Sequence, residues 1–118
     1  MEQENIFKGL ERILREQNRS EEDIKEIHRA FLFASKLHAG QYRVSEEPYI
    51  IHPVEVAKIL ATLRVDKNTL MASLLHDTIE DTGITPEQVG KEYGEDVLNL
   101  VLGITKLDKL QFKSKEGR

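Results

Sequence analysis

Residues 69–81, TLMASLLHDTIED, limit the possible fold more than any other part of the sequence. The segment is apolar nearly all round until His76, and a helix of that kind belongs in the middle of a bundle. If the helix continues through the segment, His76 lies over Glu80 and Asp77 lies over Asp81, because residues four apart share a face. We therefore expect a buried helix whose end carries one imidazole and three carboxylates.

The rest of the chain also has helical periodicity. Apolar residues recur at spacings of three and four, and no stretch shows sustained alternation with a period of two. The sequence therefore predicts an all-α fold, a bundle of about six helices in one domain spanning residues 1–118, with no internal repeat. The expected buried positions are Ile6, Phe7, Leu10, Ile13 and Leu14 in the first helix, Ile24, Ile27, Phe31, Ala34, Ser35 and His38 in the second, Val56, Ala57, Leu60 and Leu63 in the third, and Val97, Leu98, Val101, Leu102 and Ile104 in the sixth.

Several helix starts are marked by residues that cap helices. Ser20 is expected to cap the second helix and Asp66 the fourth. His52 and Thr85 are each followed by proline, which is tolerated at the first helical position because its missing N–H needs no partner there. We therefore expect His52 to cap the third helix and Thr85 a short fifth helix, which ends at Gly94.

Composition excludes several classes of protein. The chain has 118 residues, no cysteine, and a net charge of −4 from 17 basic and 21 acidic residues. Without cysteine there is no disulfide framework and no thiolate zinc site, so a metal would bind to histidine and carboxylate side chains. A pI near 5.6 argues against general binding to DNA. No apolar run suggests a signal peptide or a membrane span, so we expect a cytoplasmic protein that binds no membrane.

The cluster that begins at His76 is electrostatically unfavourable on a continuous buried helix. Its carboxylates repel one another and lie at the negative end of the helix dipole. No Lys or Arg occurs between Lys67 and Lys91 to offset this charge locally. A bound divalent metal would stabilise such a cluster. The alternative is an ordinary solvated acidic helix end, and His52 taken alone is more typical of a cap or a core histidine than of a ligand.

Three segments together resemble the N-terminal hydrolase domain of the RelA/SpoT enzymes, which make and degrade the alarmone (p)ppGpp. They are HAGQYRVSEEPYIIHPVEVAKIL (residues 38–60), LLHDTIEDT (residues 74–82) and EYGEDVLNLVLGITKLDKL (residues 92–110). The resemblance extends over residues 5–118 in the order of the family. It implies an all-helical, metal-dependent phosphohydrolase of the HD superfamily, which removes pyrophosphate from the 3′ position of ppGpp or pppGpp.

The resemblance also implies roles for five residues of the cluster and its neighbourhood. His52, His76 and Asp77 match the first three ligands to a single metal, usually Mn²⁺, which accepts nitrogen and carboxylate donors. Glu80 and Asp81 match the acidic pair that handles the attacking water, as a carboxylate general base does. Because the pair His76–Asp77 and the pair Glu80–Asp81 are both present, the site is expected to be competent for hydrolysis in the complete protein.

A loop is expected to contact the nucleotide. Arg43 matches the residue that stacks on the guanine base, and Ser45 falls where the family contacts the nucleotide. Relatives often carry a basic residue where this chain has Val44 and glycine where it has Glu46, changes that make the loop less positive beside an anionic substrate. Lys106 could face phosphate, although a lysine there is more often solvated.

The family's hydrolase domain continues with further helices and an aspartate in a LADRLHN-like segment, which does not occur before Arg118. We therefore expect a fragment that binds metal weakly, hydrolyses poorly or not at all, and associates into homo-oligomers through exposed apolar surface. Two alternatives stay open. One is a non-catalytic module that senses a nucleotide or docks to a partner, and the other is an HD phosphohydrolase that acts on a different nucleotide.

Overall fold

All the helices and strands assigned in the described part of the chain are α-helices, joined by turns and loops. The structure is a computed structural model that describes residues 2–42 and 46–116, and it describes side chains for residues 5–42 and 46–106. Within these ranges the single β contact is an isolated bridge between Tyr42 and Pro48. The predicted all-α class is therefore confirmed. The helices are α1 (Glu2–Glu16), α2 (Glu21–Leu37), α3 (Ile51–Thr62), α4 (Lys67–Leu75), α5 (Thr78–Thr82), α6 (Pro86–Tyr93) and α7 (Glu95–Glu116).

Helix α4 lies at the centre of the bundle. It packs against α2, α3 and α7, and every residue from Leu70 to Leu75 is buried. An apolar surface on all sides of a helix is stable only where neighbours cover all sides. The prediction of a central helix before His76 is confirmed.

Helices α1 and α2 form one wall of the bundle, as their apolar periodicity predicts. Phe7, Leu10 and Leu14 of α1 are buried, and so are the predicted core positions of α2. The rings of Phe7 and Phe31 lie 5.0 Å apart between their centroids. The two amphipathic faces therefore pack directly against each other.

Two of the predicted core leucines are exposed. Leu63 is 68% exposed and Leu102 is 41% exposed. The buried face of α3 is formed by Pro53, Val54, Ala57 and Ala61, so it is rotated relative to the predicted stripe. Leu63 follows the last residue of α3, where the chain leaves the helix and the helical periodicity no longer decides which way a side chain points.

Three of the four predicted caps are confirmed. The side chains of Ser20 and Asp66 accept hydrogen bonds from the third residue of α2 and of α4. Thr85 and Gln88 form a reciprocal capping box at α6, with Pro86 in its first turn. Gly94 ends α6 with a positive φ of 93°, as its position predicts.

The prediction that His52 caps α3 is wrong. The helix begins at Ile51, two residues before the predicted start at Pro53, and has no side-chain cap. The backbone N–H groups of Ile51 and His52 instead donate to the carbonyls of Pro48 and Tyr49, each at 3.1 Å, so a tight turn leads into the helix. Proline is still tolerated at the third position, because the first four N–H groups of a helix have no partner inside it. His52 therefore lies within the first turn, and its imidazole does not serve as a cap.

The predicted fourth helix is not continuous. It ends at Leu75, and α5 begins at Thr78. Side-chain donors occupy three carbonyls around this break: His76 Nδ1 lies 2.7 Å from the Ser73 carbonyl, Thr78 Oγ1 donates to the Leu75 carbonyl, and Thr105 Oγ1 of α7 donates to the His76 carbonyl. Side chains that bond to the backbone in this way compete with the helical ladder and bend or end it.

Within residues 2–42 and 46–116, no helix combines the length and the apolar character that crossing a membrane requires.

Candidate functional site

The break between α4 and α5 presents an imidazole and a carboxylate to each other. His76 is buried at 3% exposure, and its Nε2 lies 3.2 Å from Asp77 Oδ1. The opposite ring nitrogen, Nδ1, lies 2.7 Å from the carbonyl of Ser73. A carbonyl can only accept, so Nδ1 carries a proton and the ring orientation is fixed. Nε2 is therefore the nitrogen that faces the site.

His52 approaches this pair from α3. Its ring centroid lies 6.5 Å from that of His76, with an angle of 58° between the ring planes. The packing of α3 against α4 brings the two histidines together although they are distant in sequence. The structure thus places His52 near His76, and His76 against Asp77, at one end of α4.

The donor chemistry of these residues fits a divalent metal, while their arrangement fits it only in part. Adjacent ligands of an octahedral metal with bonds near 2.1 Å are separated by about 3 Å, which is close to the Nε2–Oδ1 separation of His76 and Asp77. The hydrogen bond from Nδ1 to a carbonyl is typical of metal-binding histidines. Among the described residues, however, no three His, Asp or Glu side chains already have the arrangement of a complete site.

Tyr49, which the sequence analysis did not single out, joins two of the carboxylates. Its hydroxyl lies 3.1 Å from Asp77 Oδ2 and 3.0 Å from Asp81 Oδ2. Burial raises the pKa of Tyr49, and the charge of Asp77 and the hydrogen bond to Asp81 raise it further. The hydroxyl therefore stays protonated and acts as a donor. The sequence contains one hint of a role for Tyr49, its position in the EPYI segment, three residues before His52.

The acidic pair Glu80 and Asp81 lies on α5, and both side chains are exposed. Because the helix is interrupted before Thr78, these residues belong to the first turn of a new helix. The prediction that they lie at the negative end of one long helix is therefore wrong. In a helix of only five residues the first and last turns overlap, so the helix dipole has little effect on these carboxylates.

Gln41 is a second residue that the sequence analysis missed. Its Nε2 donates to the Asp81 carbonyl at 3.0 Å, and its Oε1 lies 3.0 Å from His38 Nδ1. The ring of His38 in turn lies against that of Tyr49, with centroids 4.7 Å apart. The end of α2 and the loop that follows it are thereby connected to α5.

The structure does not test the residues predicted to bind the nucleotide. Arg43, Val44 and Ser45 lie outside the described residues, so their predicted roles stay predictions. Glu46 is exposed, with a positive φ of 70°, and Lys106 is exposed on α7.

Comparison with known proteins defines the class. A family model described as "HD domain" matches residues 30–118, so the chain belongs to the HD domain family. The family implies a divalent metal cofactor, in agreement with the donors of His52, His76 and Asp77.

Individual relatives place the chain more narrowly. It is 51% identical over 96 residues to the bifunctional (p)ppGpp synthase/hydrolase SpoT of Escherichia coli (strain K12), an alignment that covers 81% of this chain and 14% of the relative. It is 48% identical over 93 residues to the guanosine-3′,5′-bis(diphosphate) 3′-pyrophosphohydrolase of Aquifex aeolicus (79% of this chain, 13% of the relative). It is 47% identical over 87 residues to a GTP pyrophosphokinase of Myxococcus xanthus (74% and 12%). The resemblance to the RelA/SpoT family is confirmed, and the chain spans about one seventh of the length of these curated relatives.

Proposed function

We propose that the chain is the N-terminal part of a single HD-type hydrolase domain that removes the 3′ pyrophosphate of guanosine alarmones. The reaction converts ppGpp and water into GDP and pyrophosphate, and pppGpp into GTP and pyrophosphate. The oxygen of water forms a bond to the phosphorus that carries the 3′ oxygen. The bond between that phosphorus and the 3′ oxygen breaks, and pyrophosphate leaves. The relatives named as 3′-pyrophosphohydrolases support the substrate class, and the action on alarmones suggests a cytoplasmic role in the stringent response.

The observation that carries the proposal is the pairing of His76 and Asp77 at the α4–α5 break. His76 Nδ1 is committed to the Ser73 carbonyl, which leaves Nε2 to face Asp77 Oδ1 at 3.2 Å. A solvated acidic helix end would not require a histidine that is buried and oriented in this way. We therefore assign the metal-binding role to His52, His76 and Asp77, with Mn²⁺ as the proposed ion.

Each group in the proposed site has a distinct task. A bound divalent ion would offset the negative charge of the pyrophosphate and act as a Lewis acid. The carboxylates of Glu80 and Asp81 orient the attacking water and accept its proton, which requires that they be ionised. Arg43 and Ser45 are the proposed contacts to the nucleotide, and the planar guanidinium of Arg43 suits stacking on a base.

Replacement of Asp77 by Asn tests the assignment, because the amide keeps the size of the side chain and removes its charge. We expect the 118-residue chain to bind Mn²⁺ in a calorimetric titration, and the D77N variant to bind it at least about tenfold more weakly. The matched control is Asp96→Asn, on the exposed first turn of α7, which should bind like the wild type.

An assay of pyrophosphate release completes the test. Release from ppGpp that requires Mn²⁺ and is lost with D77N supports the proposal, and GTP and ATP serve as comparison substrates. Equal Mn²⁺ binding by the wild type and D77N would overturn the metal assignment. Binding of ppGpp without release of pyrophosphate would favour the non-catalytic sensing module, and release from another nucleotide instead would favour a different substrate.

A further inference from the structure

Three residues between α2 and α3 hold α5 from one side, and we call them the α5 clamp: His38, Gln41 and Tyr49. Gln41 forms the first arm. Its Nε2 donates to the carbonyl of Asp81, at a position where helical carbonyls have no partner inside the helix. Because Nε2 is the donor, Oε1 faces His38 and accepts from Nδ1 at 3.0 Å. The amide of Gln41 thus links a buried ring to the backbone of α5.

Tyr49 forms the second arm. Its ring lies against that of His38, with centroids 4.7 Å apart and an angle of 26° between the planes. Its hydroxyl reaches one oxygen of Asp77 and one oxygen of Asp81. His38 is 2% exposed and is fixed by packing inside the bundle, so the Tyr49 ring lies against an immobile surface. The orientation of Tyr49 is therefore fixed by the packing of its ring and by the hydrogen bonds of its hydroxyl.

The two arms are joined at their base. The backbone N–H of Tyr49 donates to the carbonyl of Gln41 at 2.9 Å, which closes the loop between them. Both arms end on Asp81, one on its carbonyl and the other on its carboxylate. A helix of five residues cannot order itself, because helix nucleation is unfavourable and short helices depend on tertiary contacts. The clamp supplies such contacts to α5.

We propose that Tyr49 and Gln41 are positioning residues that fix the carboxylates of Asp77 and Asp81 relative to each other. The proposal rests on the proposed function, in which Asp77 binds the metal and Asp81 handles the attacking water. Two carboxylates within reach of one hydroxyl repel each other. The shared donor lies between them, so Tyr49 sets the separation of the Asp77 and Asp81 carboxylates, while Gln41 prevents α5 from turning away.

The decisive variant is Tyr49→Phe, because it removes one hydroxyl and keeps the ring that lies against His38. We expect kcat for pyrophosphate release and the affinity for Mn²⁺ each to fall about tenfold, the usual effect of removing a partner of a ligand, while KM changes less than about twofold. The matched control is Tyr93→Phe: this hydroxyl is on α6, where the ring contacts Phe33 and Arg29. Y93F should leave kcat and Mn²⁺ affinity unchanged.

A second variant and a second readout test the other arm. Gln41→Met keeps the length of the side chain and removes both hydrogen bonds. Hydrogen exchange of the Asp81 amide, which bonds to the Asp77 carbonyl at 3.0 Å, reports the order of α5 without metal or substrate. We expect exchange at Asp81 to be about fivefold faster in Q41M and in Y49F than in the wild type, as the loss of one modest hydrogen bond predicts.

The outcomes separate this proposal from the proposed function. A wild-type chain that binds no Mn²⁺, and so gives no Mn²⁺-dependent release of pyrophosphate, would overturn both proposals. A wild-type chain that does both, with Y49F equal to it in kcat, Mn²⁺ affinity and exchange at Asp81, would overturn the positioning role alone. Faster exchange in Y49F with unchanged kcat and Mn²⁺ affinity would also overturn it, since the clamp would then be purely structural.

Discussion

The hydrogen bond between α7 and the α4–α5 break allows a quantitative prediction. Thr105 Oγ1 donates to the His76 carbonyl at 2.8 Å, across 29 residues of sequence and in a part-buried setting. Thr105→Val keeps the shape of the side chain and removes the hydroxyl, so the carbonyl loses this donor. Leaving a buried acceptor without a partner costs about 1–3 kcal/mol, and partial access to water puts this case near the lower end, at about 1 kcal/mol.

Urea and thermal unfolding would measure this loss. For a chain of this size, about 1 kcal/mol corresponds to a decrease in Tm of about 4 °C. The matched control is Thr62→Val, because the Thr62 hydroxyl is exposed and donates to the Ile59 carbonyl three residues earlier, at 2.6 Å. Its effect should stay within about 0.5 kcal/mol. Equal stability of T105V and T62V would refute the argument that α7 stabilises the break through this bond.

Two further predictions concern stability away from the site. Asp66→Ala should destabilise the chain by about 1 kcal/mol near neutral pH in urea titrations, because the cap of α4 is lost. Hydrogen bonds from Thr69 lower the pKa of Asp66 in the folded state. The stabilisation by the cap is therefore complete above the ordinary pKa of 3.8 and disappears as the pH falls through the lower folded pKa. Parallel curves of stability against pH for the wild type and D66A would contradict this prediction. Leu74→Ala, at a fully buried position of α4, should cost about 2–5 kcal/mol in the same assay. Leu63→Ala, at a leucine that is 68% exposed, should cost less than about 0.5 kcal/mol, and similar losses for the two leucines would refute the assignment of the core.

Features that depend on near neighbours in sequence were predictable. Ser20, Asp66 and Thr85 each bond to a residue three positions ahead, so their roles as caps follow from local sequence. The central position of α4 was predictable for a similar reason, because an apolar surface on all sides is visible in the sequence itself. The gathering of His52 with His76 was suggested by a resemblance to a family, and the packing of α3 against α4 accounts for it.

Features that depend on distant contacts were not predictable. The break at residues 76–77 is stabilised in part by Thr105, which is 29 residues away. Tyr49 reaches Asp77 across 28 residues and Asp81 across 32. The spacing of apolar residues along the sequence does not predict such distant contacts, and by itself it favours one continuous helix through His76. His52 was misplaced as a cap because a tight backbone turn can start a helix without a side-chain cap.

The break also changes the electrostatic argument for a metal. On one continuous helix, the carboxylates would oppose both one another and the helix dipole, and a cation would be needed for stability. In the structure, Asp81 lies in the first turn of α5, and Tyr49 donates toward both Asp77 and Asp81. One hydroxyl has one proton, so it cannot fully satisfy two ionised acceptors. The electrostatic argument for a cation is therefore weaker than on one continuous helix, and the proposed metal site rests mainly on Asp77 Oδ1 facing the oriented imidazole of His76.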